Sequence, residues 1–405
     1  MQIYVVKSGD SLDSIAAGFG IAAAEIAYAN QIFYPYALAV GQALLIPETG
    51  TEQYNKRTVH VNGYAYPFIR EWVLGETLPF LTTLSVFSYG FTTQGNLVPP
   101  LVDDNWMINA AWQQGVRPIL TLTPFDNTGM FNNYLINVLV NDAAVQQNLI
   151  TQILVVMEEK GFAGIDIDFE YILPDDRVPF ADFVANVRAQ AAPLGYTVSV
   201  ALAPKSMPDQ KGLLYEGKDY GLLGAAADSV LLMTYEWGYT YGPPMAVAPV
   251  NKVREVIEYA ITEIPREKID IGIPNYGYDW ALPFVRGVTK AETIGNIEAV
   301  DRAIANHAEI QFDQIAMTPY FHYTLNGVEH EVWFEDVRSM REKFNLVIEY
   351  GLRGMGYWQI MKLFRANWLL LADTFYIQKG ELRERIGRLF IENYKNGSHI
   401  FSGIH

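Results

Sequence analysis

Apolar and polar positions along the chain follow two regimes. In residues 1–48 the pattern is short. Ile3 to Val6 predicts a strand, and Ser8-Gly9-Asp10-Ser11 a turn and helix start, because Ser and Asp oxygens accept from free backbone N–H groups. Leu12, Ile15, Ala16 and Phe19 recur at helical spacing. A second short helix over Ala22 to Tyr28 ends near Asn30, and Ala43 to Pro47 predicts a closing strand. The order is βααβ. Residues 49–57 are short and polar and predict a linker.

From Thr58 onward apolar runs alternate with helical patterns. Strands are predicted at Val59–Tyr64, Thr83–Tyr89, Arg117–Leu122, Gly164–Phe169, Thr197–Ala201, Ser229–Thr234, Ile269–Pro274 and Gly354–Trp358. Helices such as Val145–Lys160 and Phe180–Ala192 separate them. The fold class is α/β. Regular repetition over 58–377 favours a closed parallel (β/α)8 barrel, with an open doubly wound sheet as the alternative. Ala316–Tyr323 and Val328–Phe334 predict a hairpin around Leu325-Asn326-Gly327, part of an α+β insertion at about 281–350. In the extension 378–405, Leu382, Ile386, Leu389 and Phe390 predict a final helix.

Composition narrows the chemistry. A net charge of −16 disfavours nucleic acid and anionic membrane surfaces as partners. The absence of cysteine excludes disulfides, thiolate zinc sites and thiol nucleophiles. The 6 histidines show no metal-ligand spacing, so neither metal nor cofactor is expected. The 25 tyrosines and 8 tryptophans suit a groove that stacks on sugar rings. Met1 to Val6 is not a charged leader with an apolar run, which predicts no signal peptide.

Residues 1–48 resemble a LysM domain through Tyr4-Val5-Val6, Gly9-Asp10-Ser11-Leu12, Ile15-Ala16, Asn30, and Val40-Gly41-Gln42 to Ile46-Pro47. The resemblance implies binding of N-acetylglucosamine-containing glycans. Its groove would lie between the loop Gly9, Asp10, Ser11, Leu12 and the loop Ile32 to Tyr36, with Tyr34 as a contact.

The densest chemistry lies in Gly164-Ile165-Asp166-Ile167-Asp168-Phe169-Glu170-Tyr171. Strand alternation sends Asp166, Asp168 and Glu170 to one face, each about 6.6 Å from the next. Ile165, Ile167 and Phe169 fit the helix-packed face, so the acids line the barrel interior. Glu170 would then sit at the C-terminal mouth, where barrel active sites lie. Mutual repulsion should keep a proton on the row near neutral pH, as a general acid requires.

Residues 58–377 resemble family 18 of the glycoside hydrolases, the chitinase-like TIM-barrel family. Its fourth strand carries DGxDxDxE, and Ala163 stands here where the first Asp is expected. Met233-Thr234-Tyr235-Glu236-Trp237 matches the sixth strand, with Glu236 in place of the more usual Asp. Ile273-Pro274-Asn275-Tyr276-Gly277-Tyr278 matches the seventh strand and Gly356-Tyr357-Trp358 the eighth. The resemblance implies retaining, substrate-assisted hydrolysis, with Glu170 as acid and the substrate's acetamido oxygen as nucleophile. It assigns Asp168 to the acetamido N–H, Tyr235 to the acetamido oxygen, and Asp166 to sharing a proton with Asp168. Glu236, Trp237, Asn275, Tyr276 and Trp358 become substrate contacts.

The stretch Thr234 to Pro244 looks like the variant found in spore-associated hydrolases of endospore-forming bacteria. That implies an N-acetylglucosaminidase acting on spore-cortex peptidoglycan, made in the mother-cell cytoplasm and deposited on the spore. The alternatives are a chitinase, or a non-catalytic lectin or coat protein binding the same glycans.

Overall fold

A computed structural model describes residues 1–48, 56–125 and 131–380. Parallel strands run Thr58–Ala65, Thr83–Phe91, Arg117–Leu122, Gly164–Ile167, Thr197–Leu202, Ser229–Leu232, Ile269–Pro274 and Gly354–Trp358. Each pairs with the next, and the eighth pairs back onto the first. The sheet is therefore closed, and the open alternative is excluded. Two strands end sooner than the pattern predicts: the fourth stops at Ile167 and the sixth at Leu232. Beyond those points the chain turns into the mouth of the barrel to present side chains, and ladder pairing gives way.

The helices form where the pattern and its punctuation agree. In Ala143–Lys160, Leu149, Ile150, Ile153 and Met157 are buried at spacings of one face. Asp142 caps its start by accepting from the N–H groups of Ala144 and Val145. Gly161, at φ 81°, ends it in a left-handed conformation that costs glycine little.

The insertion is a five-stranded antiparallel sheet in the order Glu292–Ile294, Gly277–Ala281, Val328–Trp333, Thr318–Leu325, Gln311–Asp313, with the helix Asn296–Ala305. Asn326 and Gly327 turn the hairpin with φ of 51° and 81°, the positive values a two-residue turn requires. The expected limits of 281–350 need correction. The sheet starts at Gly277, and Val337–Glu349 is a barrel helix packed against Val250–Glu263 and Arg365–Thr374. A buried Asp279 ties the insertion together, accepting from the Tyr323 hydroxyl, Arg302 at 2.6 Å and His330 at 2.8 Å.

The N-terminal unit is the expected βααβ fold, strands Gln2–Val5 and Ala43–Ile46 around helices Leu12–Phe19 and Ala23–Asn30. Asn30 stitches its second helix to the closing strand, donating to the carbonyls of Ile26 and Leu45 and accepting from Leu45 N–H. The unit is docked on the rest. The Met1 ammonium meets Asp373 at 2.7 Å, and Arg365 lies 4.1 Å over the Tyr28 ring. Gly41, at φ 83°, abuts Ile310 so closely that a Cβ would sit 1.8 Å from its carbonyl oxygen. At the far end of the expected linker, Lys56 and Arg57 donate to the carbonyls of Ala372, Val347 and Leu352. The remainder of that linker and the expected C-terminal helix lie outside the described residues.

Candidate active site

The row of acids is built by alternation. Ile165, Ile167 and Phe169 are fully buried on the outer face. Phe169 stacks with Phe91, Phe180 and Phe183 at ring-centre distances of 5.5, 5.5 and 5.9 Å. This aromatic stack fixes the chain between Asp168 and Glu170, and Asp168 N–H still donates to Leu122 O at 2.9 Å. Asp166, Asp168 and Glu170 therefore turn inward in rising order towards the mouth.

Each acid has a distinct environment. Asp166 accepts from the Tyr64 hydroxyl at 2.8 Å and from Ser199 Oγ at 2.6 Å. Each Asp166 oxygen thus accepts one hydrogen bond, and burial raises its pKa. Asp168 is 7% exposed, and its Oδ1 is buried without a hydrogen-bond partner among the described residues. Burial raises its pKa well above the usual carboxylate range, and the charges of Glu170 and Asp166 push in the same direction. Glu170 is half-buried, and burial raises its pKa while Lys218 opposes the rise. A carboxyl held protonated at the mouth of a barrel can give up a proton to a bound molecule.

Tyr235 stands opposite. It is buried, and its ring fits because Gly272 carries no side chain; a Cβ there would lie 2.5 Å from the ring. Burial raises its hydroxyl pKa, as do Asp168, Glu170, Glu236 and Asp166, so it remains a donor facing all four carboxyls. Glu236, at φ 67°, accepts from the hydroxyls of Tyr276 and Tyr278. Trp358 is half-buried, with Phe87 edge-on at 4.9 Å and Tyr64 at 5.7 Å. Tyr66 stacks on the exposed Phe68 at 5.1 Å beside it.

Other expected contacts fall differently. Asn275 is buried, and its Nδ2 donates to the carbonyls of Gln359 and Lys362, so it staples the loop after Trp358. Tyr276 is buried and works through Glu236. Trp237 is half-buried against the core. In the N-terminal unit Leu12 is a core residue, which removes its side chain as a glycan contact. Ser11 caps the first helix and Asp10 accepts from the Tyr4 hydroxyl, whereas Gly9 is exposed and Tyr34 is 86% exposed.

Comparison with known proteins decides the family. The profile of glycosyl hydrolases family 18 matches residues 131–362, and that of the LysM domain residues 4–47. The chain belongs to glycosyl hydrolase family 18. This family 18 chain is 40% identical to the cortical fragment-lytic enzyme of Bacillus subtilis (strain 168), over 95% of its own length and 100% of the relative's. The crystal structure of the Bacillus megaterium QM B1551 spore cortex-lytic enzyme SleL superposes with a TM-score of 0.88 at 33% identity, covering 93% of this chain and 99% of that one. The Bacillus cereus SleL structure gives a TM-score of 0.78 at 39% identity, covering 94% and 88%.

Several partners of the family 18 site escaped the sequence pattern. Tyr64 and Ser199 lie on strands read only as apolar runs. Lys218 lies in a loop without periodicity, yet it is 0% exposed. A strand-register argument could have found Ser199, which pairs directly with Asp166.

Proposed function

We propose that this family 18 chain is a retaining, substrate-assisted N-acetylglucosaminidase acting on spore-cortex peptidoglycan. One observation carries the mechanism: the carboxylates around Glu170 are committed elsewhere or lie on its own wall. Asp166 is held by Tyr64 and Ser199, and Glu236 by Tyr276 and Tyr278. Asp168 is two residues from Glu170 on the same face. This arrangement leaves the nucleophile to the substrate.

The Glu170 proton passes to the glycosidic oxygen as the anomeric C–O bond breaks. The acetamido oxygen of the same sugar bonds to the anomeric carbon, forming an oxazolinium ion. Asp168 accepts from the acetamido N–H and balances its positive charge, and Tyr235 donates to the acetamido oxygen as the sugar settles. Water then attacks the anomeric carbon, giving its proton to Glu170 and restoring the acetamido group. Two inversions leave the original anomeric configuration. Trp358 supplies the apolar floor for the sugar.

The polymer rests on the relatives, whose names specify cortex or cortical fragments. The LysM unit would hold the same glycan. Synthesis in the mother cell and deposition on the spore belong to the same reading. The test is NMR and mass spectrometry of nascent products from cortex fragments. The β-anomer should appear first, at new reducing ends of N-acetylglucosamine. Initial α-anomer would overturn retention, and reducing muramic acid ends would overturn the bond assignment.

A further inference from the structure

A groove outside the acid row lies at the seam between the LysM unit and the insertion. Its first part is a cavity of about 220 Å³, lined by Gln31, Ile32 and Phe33 from the LysM unit and by the helix Asn296–Ala305 from the insertion. Ile297, Val300 and Ile304 recur at spacings of three and four, so one half-buried apolar face of that helix forms the wall. Phe33 is 80% exposed and stands at the rim. A second cavity of about 240 Å³ shares Asn296, Ile297, Asp301 and Phe364 with the first. It extends to Asn275 and Lys362, beside the loop after Trp358. Together the two have the size of a small-ligand cleft. The loop Gly9 to Leu12 lines neither, so this is not the groove expected within the LysM unit alone.

Two buried amides in its wall are half satisfied. Asn275 Nδ2 donates to the carbonyls of Gln359 and Lys362 at 3.0 and 2.9 Å, and its Oδ1 has no partner among the described residues. Asn296 is the converse: its Oδ1 accepts from Glu335 N–H at 3.0 Å, and its Nδ2 has no partner among them. Those bonds fix which end of each amide is free. A buried polar atom left unpaired is costly, so a free acceptor and a free donor lining one cavity fit a ligand that carries both. The lining also selects against anions. Asp301, Glu335 and Asp336 contribute carboxyls, and the Lys362 ammonium is paired with Glu298 at 2.8 Å. We propose that this seam is a second glycan site, shared by the LysM unit and the insertion, that takes the acetamido group of a neutral N-acetylated sugar. Asn296 Nδ2 donates to the acetamido carbonyl, Asn275 Oδ1 accepts from its N–H, and Phe33 packs on the sugar ring.

The inference rests on the glycan assigned under the proposed function, and its test needs no turnover. Side-chain amide NMR would follow Asn296 in Glu170→Gln as tetra-N-acetylchitotetraose or cellotetraose is added. The N-acetylated sugar should shift the Asn296 Nδ2 resonances, and cellotetraose, neutral but without acetamido groups, should not. Calorimetry with the N-acetylated probe in the same background should show binding at this site weakened about tenfold by Phe33→Ala. Asn296→Asp, which keeps the acceptor for Glu335 N–H and removes the donor, should weaken it by a similar factor. An unmoved Asn296, an equal shift with cellotetraose, or unchanged affinity in Phe33→Ala would overturn the proposal. So would a loss in Phe33→Ala with none in Asn296→Asp, since the LysM loop would then bind alone. Phe33 is exposed, so its variant and the Asn296 resonances decide the matter even if Asn296→Asp does not fold. Seam binding without turnover by wild type would sink the hydrolase reading and leave this site standing. Turnover with an unmoved Asn296 would sink this site alone.

Discussion

Asp168 is buried in the barrel beside two further carboxyls of the same row. Its folded-state pKa is raised by burial first and by Glu170 and Asp166 next. A carboxyl raised in this way favours folding while protonated, and that contribution is lost as pH rises through the folded pKa. Asp168→Asn should therefore raise the melting temperature at neutral pH. The gain should vanish towards about pH 4, where the unfolded carboxyl is also protonated. Thermal denaturation across that range checks it, and an equal gain at both ends would contradict the burial argument. The row Asp166, Asp168, Glu170 was legible because alternation fixes direction. Lys218 was not, because a buried lysine in an aperiodic loop shares its local pattern with an exposed one. The loop that the Asn275 amide staples was not legible either, because a position near a strand end does not specify where the side chain turns.

At the scale of the element, the site depends on strands that leave space. Gly272 on the seventh strand admits the Tyr235 ring and lies 2.7 Å, by its absent Cβ, from Leu232 O. Gly272→Ala should destabilise the chain by about 1–3 kcal/mol through overpacking. It should also lower kcat more than KM by displacing Tyr235. Denaturant unfolding together with steady-state kinetics would detect both, and unchanged kcat would show that the ring is not placed by this contact. Strand positions were readable from apolar runs, and three of the eight matched to the residue. Element ends at the mouth were not, because there the chain serves side-chain presentation. The insertion's limits were blurred for a related reason: only three residues after its last strand ends at Trp333, Asp336 caps the barrel helix Val337–Glu349.

At the scale of the molecule, the LysM unit is held in a fixed relation to the barrel. Gly41 is the tightest point, with Ile310 N–H donating to Val40 O at 2.9 Å beside it. Arg338 adds a donor to Gly41 O at 3.2 Å. Gly41→Ala combines a positive φ with a backbone clash, so it should loosen docking at a cost of about 1–3 kcal/mol. Limited proteolysis should then cut between the two units faster, while turnover of short soluble fragments stays unchanged. Equal cutting rates would mean that the contact does not hold the unit in place. This docking was beyond the sequence, since it joins Gly41 to Ile310 across residues with no shared motif.

The central claim is that Glu170 supplies the proton for cleavage of a glycan bearing N-acetyl groups. Its most direct test is mass spectrometry of products from cortex fragments, vegetative peptidoglycan and chitin, with wild type and Glu170→Gln in parallel. Wild type should release fragments with reducing N-acetylglucosamine from cortex, and Glu170→Gln should be about 10²–10⁴-fold slower with unchanged glycan binding. If neither protein releases product while both bind the glycan, the barrel is a lectin and the account is wrong.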